Sequence, residues 1–178
     1  MRRAALAALG AALLALSLAC PEPFEPASDG PREPAPPFEL PRIGGPDLRL
    51  EDMRGKIVIL DFWATWCAPC EVQMPVLDAL WKDRAWRDAH GDDLMIVGIS
   101  VDTDPVAEVA AWIEERGFEY PIAMGDQDLA MRYGVIGFPT LIVLDPDAGI
   151  FTRHMGVWSR AEIEEVLDAV RQETAPDA

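Results

Sequence analysis

Two of the three cysteines, Cys67 and Cys70, stand two residues apart in Trp66-Cys67-Ala68-Pro69-Cys70, after an apolar run and before a stretch of helical periodicity. A pair so spaced at a helix start can close a small disulfide. The first thiol of such a pair faces unpaired backbone N–H groups and the positive end of the helix dipole, which favours thiolate over thiol. Cys67 is therefore the expected attacking sulfur, and Cys70, one turn inside the helix, the sulfur that resolves a mixed disulfide. Pro69 suits a first helical turn, where a missing N–H costs nothing. Six residues before Cys67, Asp61 interrupts the apolar run. A carboxylate buried there without a partner is costly, so Asp61 is either kept for chemistry or is a strand-end acid hydrogen-bonded to backbone.

The elements that must hold these residues follow from the pattern around them. After Lys56 the run Ile-Val-Ile-Leu-Asp-Phe, ending at Phe62, has the length and continuous apolarity of a strand buried on both faces. From Pro69 onward Val72, Val76, Leu77 and Leu80 recur at helical spacing, with Pro75 expected to kink the helix without ending it. Leu94 to Ser100 reads as a second strand. Asp104 is expected to cap, and Pro105 to open, a helix with Val106, Val109, Ala110 and Ile113 on one face and Gly117 at its end. Further on come a short strand over Tyr120 to Met124, a short helix over Asp128 to Tyr133, a strand over Thr140 to Leu144 and its hairpin partner over Ile150 to Met155. Ser159 and Glu162 form a capping box for a last helix that buries Ile163, Val166, Leu167 and Val170. The alternation predicts an α/β fold, a mixed central sheet flanked by helices.

Composition narrows the function. The chain has 178 residues, 50% of them hydrophobic, enough for one domain of ordinary size. Acidic residues outnumber basic ones 31 to 15, for a net charge of −16, which repels nucleic-acid phosphates and argues against a nucleic-acid partner. Three cysteines and two histidines supply neither a zinc or iron–sulfur framework nor a disulfide-dense scaffold. His90 and His154 share no ligand spacing with each other or with the cysteines, so no metal and no other cofactor is expected, and both read as surface residues. Trp81, Trp86 and Trp112 read as packing residues, and Glu71 as an acid in a first helical turn.

The first nineteen residues have the build of a secretory signal: Arg2 and Arg3, then an uncharged Ala/Leu run to Ala19. That run is short for a membrane span, which needs about 20 residues. Leu16-Ser17-Leu18-Ala19-Cys20 resembles a bacterial lipobox, with Cys20 as the lipid-bearing first residue of the mature protein. Ordinary cleavage at the same boundary and an uncleaved anchor are the alternatives. Cysteine parity favours lipidation, because it leaves an even pair. Residues 20–37 form a Pro-rich stretch, with seven prolines among the seventeen residues from Pro21 to Pro37. It reads as a semi-rigid tether or a disordered tail, and residues 38–174 as the folded domain.

The stretch Val58-Ile59-Leu60-Asp61-Phe62-Trp63-Ala64-Thr65-Trp66-Cys67-Ala68-Pro69-Cys70, with Met74-Pro75 and the distant Gly137-Phe138-Pro139-Thr140, resembles the thioredoxin fold in its extracytoplasmic TlpA/ResA-like branch. The wide gap between Cys70 and Pro139 fits that branch, whose extra helix and strand precede the cis-proline. The resemblance implies that Pro139 is that cis-proline, facing the active-site disulfide, and that the Phe138 backbone pairs with an extended substrate strand. Trp66, Ala68, Pro69 and Phe138 would then line the substrate, with Trp66 shielding the disulfide. Asp61 matches the buried aspartate that assists proton transfer at the second cysteine of thioredoxins. Some ResA-like proteins place an acid three residues after that cysteine. Here that place is Gln73, which implies that Asp61 has taken over the task.

The expected function is thiol–disulfide exchange at the periplasmic face or cell surface, by a membrane-anchored lipoprotein acting as a reductant. Its expected substrates are cysteine-containing proteins, apocytochrome c first. Because a periplasm is kept oxidising, a membrane thiol–disulfide donor would have to supply the electrons. A peroxiredoxin shares the fold but needs a Thr or Ser three residues before its cysteine and a Pro seven before, where this chain has Ala64 and Leu60. A haem attachment site needs a His after the second cysteine, where Glu71 stands. The alternative from another class is a binding module whose reduced CxxC holds Cu(I) or a partner.

Overall fold

The computed structural model describes residues 31–91 and 93–174. The signal segment, Cys20 and the tether up to residue 30 lie outside the described residues. A small antiparallel pair, β1 (Glu39–Leu40) and β2 (Leu48–Arg49), leads through a 3-10 turn into β3 (Ile57–Trp63). There follow α1 (Cys70–Lys82), α2 (Arg84–Ala89), β4 (Leu94–Ser100), α3 (Val106–Arg116), β5 (Ile122–Met124) and α4 (Gln127–Arg132). The chain closes with β6 (Thr140–Leu144), β7 (Ile150–Met155) and α5 (Arg160–Thr174).

The main sheet has the order β5-β4-β3-β6-β7. β3 runs parallel to β4 and antiparallel to β6, so the sheet is mixed. All seven β3 residues are buried, as continuous apolarity with helices on both faces requires. β3 thus delivers Cys67 from the centre of the sheet rather than from an edge. The inserted α3 and β5 widen the sheet beyond β4 and precede α4 and the Pro139 turn.

Some element boundaries follow the sequence pattern and others depart from it for local reasons. α1 continues through Pro75 and ends at Asp83, whose carboxylate accepts the Trp86 N–H at 3.0 Å and so starts the unforeseen α2. Asp104 does not cap α3. Pro105 is itself the flanking residue, with extended ψ, and its carbonyl accepts the Glu108 and Val109 N–H groups, which leaves Asp104 one position too far back. Gly117 closes α3 at φ +70°, a left-handed conformation that suits glycine. α4 starts one residue early, because Asp126 accepts the Leu129 N–H at 2.7 Å. The capping box stands, with Glu162 accepting the Ser159 N–H at 2.8 Å.

Residues 32–37, assigned by composition to the tether, lie along the domain. The Ala35 N–H donates to the Ala148 carbonyl at 2.9 Å, the Ile150 N–H to Glu33 at 2.8 Å and the Tyr133 hydroxyl to Pro36 at 2.7 Å. Arg32 pairs with Asp145 at 2.8 Å and also with Glu173. Backbone pairing of this kind needs no apolar side chains, and prolines can still accept, so a Pro-rich stretch can lie along a domain without an apolar pattern.

Candidate active site

Cys67 and Cys70 form a disulfide, with an S–S distance of 2.07 Å and Cα atoms 5.3 Å apart. Cys70 is the first residue of α1 rather than one turn inside it, and Cys67 lies in the turn that precedes it. The Cys70 N–H points back at the Cys67 sulfur, 3.3 Å away. The Cys67 sulfur therefore lies against the positive end of a 13-residue helix, as the thiolate argument needs. Cys67 keeps 5% of its surface exposed and Cys70 none. The asymmetry follows from position, since the first helical residue turns its side chain inward under Trp66 to Pro69.

The Phe138–Pro139 peptide is cis. It is held by the Gly156 N–H donating to the Pro139 carbonyl at 2.8 Å and by the Thr140 hydroxyl donating to Gly137 at 2.7 Å. A Cβ on Gly137 would stand 2.9 Å from the Met155 sulfur, so that glycine lets β7 approach the turn closely. Trp66 and Phe138 meet edge to face at 5.8 Å, which brings the cysteine loop and the cis-proline turn together. Trp66 is 64% exposed and Ile136, two residues before Phe138, is 88% exposed, giving the site an apolar rim. Ala68 and Pro69 are exposed beside it, while Pro139 is buried.

Asp61 is fully buried. Its Oδ2 accepts the Tyr120 hydroxyl at 3.2 Å, while Oδ1 has no partner among the described residues. Burial pushes its pKa up to about 7, against the opposing pull of the Tyr120 hydrogen bond. The strand-end reading, an acid satisfied by backbone, does not describe this carboxyl. Its register partner on β4 is Gly98, where a Cβ would stand 3.1 Å from the rings of both Trp63 and Tyr120.

The AhpC/TSA family matches residues 31–152. This chain belongs to the AhpC/TSA family. The thioredoxin-like protein YneN of Bacillus subtilis is 33% identical over 136 residues, 75% of this chain and 76% of its own length. The thiol-disulfide oxidoreductase ResA of Geobacillus thermodenitrificans is 31% identical over 138 residues, covering 77% and 76%. Among solved structures, the pneumococcal exposed lipoprotein thioredoxin of Streptococcus pneumoniae superposes with a TM-score of 0.66 at 27% identity, covering 75% of this chain and 99% of that one. The chain is therefore a thioredoxin-fold thiol–disulfide oxidoreductase of the ResA-like kind that its motifs resemble.

Several neighbours have roles the sequence left hidden. Asp102, just beyond β4, accepts the Thr65 N–H at 3.0 Å, the Thr65 hydroxyl at 2.7 Å and the Ser100 hydroxyl at 2.7 Å, tying the cysteine loop to β4. Its only sequence signal was a polar Ser-Val-Asp at the end of an apolar strand. Gln73 is buried and turned away from any acid role, its Oε1 accepting the Trp158 N–H at 2.7 Å. Glu71 pairs with Arg116 at 3.4 Å across to α3. The two histidines are half-buried rather than free on the surface, because each stacks on a tryptophan, His90 on Trp86 at 4.2 Å and His154 on Trp158 at 4.3 Å. Trp81, Trp86 and Trp112 pack against the core, and Trp112 meets Trp63 at 5.1 Å.

Proposed function

We propose that the Cys67–Cys70 pair reduces disulfides in extended, cysteine-bearing protein segments outside the cytoplasm, with apocytochrome c the favoured substrate. The Cys67 thiolate attacks one sulfur of a substrate disulfide, a mixed disulfide forms, and the other substrate sulfur leaves as a thiolate that takes a proton from solvent. Cys70 passes its proton to Asp61 and attacks Cys67, which closes the Cys67–Cys70 disulfide and releases the second substrate thiolate. The substrate gains two electrons and the enzyme loses two. A membrane thiol–disulfide donor then reduces the pair again.

The observation that carries this reading is the Cys70 N–H on the Cys67 sulfur at a helix start; the strand that leads to that loop also holds a buried carboxyl, Asp61, with one oxygen unpartnered among the described residues. Trp66, Ala68, Pro69 and Phe138 form the docking rim for the peptide, whose backbone adds to the cis-proline turn. The signal-like residues 1–19, and the lipobox-like sequence around Cys20, support an extracytoplasmic lipoprotein held near a membrane electron source. A pneumococcal relative described as an exposed lipoprotein thioredoxin supports the same placement.

The reducing direction rests on charge. Strong oxidants of this fold stabilise the reduced thiolate with more than one helix dipole. No Lys, Arg or His lies between Lys56 and Lys82, and Arg116, which reaches the first turn of α1, is engaged by Glu71. Equilibration with glutathione buffers, read by tryptophan fluorescence, should give a potential nearer thioredoxin's, about −270 mV, than the strongest periplasmic oxidant's, about −120 mV. A value more oxidising than about −180 mV, the figure for protein disulfide isomerase, overturns the reductant assignment.

A further inference from the structure

The inserted segment between α3 and β5 reaches back into the site. Tyr120 is 2% exposed, and its hydroxyl meets Asp61, fifty-nine positions earlier in the chain. Three contacts fix it there. The neighbouring Glu119 N–H donates to Asp78 of α1 at 2.7 Å, the Phe118 ring lies 6.3 Å away, and the Gly98 N–H donates to the Pro121 carbonyl at 2.9 Å. Asp78 is in turn held by Lys82 at 2.6 Å. The insertion is thus clamped to the helix that begins at Cys70, and the clamp ends in one hydroxyl on one carboxylate oxygen.

We infer that Tyr120 is a positioning residue for the proton acceptor. Its hydroxyl holds Oδ2 of Asp61 and leaves Oδ1 as the atom that takes the Cys70 proton. The inference rests on the reading of Asp61 as acceptor. It adds a chemical role for the insertion, which otherwise only widens the sheet. A carboxyl rotating freely in a buried site would present either oxygen, whereas one oxygen tied to a fixed phenol presents the other.

The same bond tunes the acceptor. A hydrogen bond to the charged form favours it, so the phenol opposes the burial that pushes Asp61 up. Burial and the Asp61 charge raise Tyr120 well above its ordinary value, so the phenol stays protonated and remains a donor. The charged groups facing the pair are few. α1 presents Asp78, with Lys82 on it and Glu119 beside Lys82. α3 presents the Trp112 ring against Trp63, with Arg116 over the Trp112 ring and paired to Glu71. β4 presents Gly98, which carries no charge.

The test is Tyr120→Phe, which keeps the ring and removes one oxygen, in the full chain, with thermal unfolding as the check on folding. Two quantities are followed against pH: the carbon-13 shift of the Asp61 carboxyl, and the rate at which Cys70 resolves a mixed disulfide between Cys67 and a cysteine peptide. Both midpoints should rise by about one pH unit, and resolution at pH 7 should fall about fivefold as the ionised fraction drops. An Asp61 titration identical in Tyr120→Phe and wild type overturns the role of Tyr120. A shifted titration together with an Asp61→Asn resolution rate equal to wild type overturns the acceptor role of Asp61 instead, and with it any catalytic meaning for Tyr120.

Discussion

Two buried carboxylates stand on the strands that lead to and hold the cysteine loop, Asp61 on β3 and Asp102 just beyond β4, and they are provided for in opposite ways. Asp102 gathers donors from Thr65 and Ser100 at 2.7 to 3.1 Å, so its charge is matched on both oxygens. Among the described residues, Asp61 has one donor, at 3.2 Å, and an oxygen with none. The first arrangement fixes the loop that carries Trp66 and Cys67, because moving the loop would break bonds to a charge. The second leaves a carboxyl that burial pushes up to about 7, where it can gain and lose a proton near neutral pH. A satisfied buried acid holds structure, and a half-satisfied one is free to titrate.

That contrast breaks if stability responds to the two residues in the same way. Asp61 takes up its proton at a higher pH when folded than when unfolded, so its neutral form suits the fold and its charged form burdens it. The burden begins as pH rises past the ordinary carboxyl range near 4 and is complete above about 7. Asp61→Asn removes it. Relative to wild type, the variant should gain about 4 kcal/mol of unfolding free energy between pH 4 and pH 8, an upper figure measured by urea unfolding at the two pH values. Asp102→Ala should instead lose about 2–3 kcal/mol at pH 7, because it leaves the buried Ser100 hydroxyl and the half-buried Thr65 donors unmatched. A neutral Asp102→Ala, or an Asp61→Asn that is destabilised at pH 8, erases the distinction.

A smaller effect sharpens it. Thr65→Val deletes one of the bonds to Asp102 but keeps the backbone N–H contact, and should cost about 1 kcal/mol in thermal unfolding. At the thiols, alkylation of the reduced protein at mildly acidic pH should label Cys67 well before Cys70, since only Cys67 keeps exposure and receives an N–H on its sulfur. Mass spectrometry of the labelled peptides reads the order. Cys70 labelled first would reverse the two roles.

The sequence made some of this readable and hid the rest for definite reasons. β4 and β6 have the bounds their apolar runs predicted, because a strand inside a mixed sheet is buried on both faces, and β7, at the sheet edge, has the bounds of its predicted hairpin strand. Asp61 was visible as a carboxylate breaking such a run, and Pro139 through its motif. β1 and β2 are two residues each and hold no periodic signal, and α2 begins only because Asp83 turns to cap it. Tyr120 and Asp102 stayed hidden because their roles come from partners far along the chain, at Asp61 and Thr65: the pairing of β3 with β4 brings Asp102 to Thr65, and the further pairing of β4 with β5 brings Tyr120 to Asp61. Residues 32–37 are attached by backbone pairing and by ion pairs of Arg32 and Glu33 with distant residues, neither of which composition displays.

The proton path is tested most directly by rapid kinetics with a cysteine peptide, separating formation of the Cys67 mixed disulfide from its resolution by Cys70. At pH 7, Asp61→Asn should leave formation within about twofold of wild type and slow resolution at least tenfold, in line with the usual contribution of a general base. Equal resolution rates in the variant and the wild type would contradict Asp61 as the acceptor of the Cys70 proton.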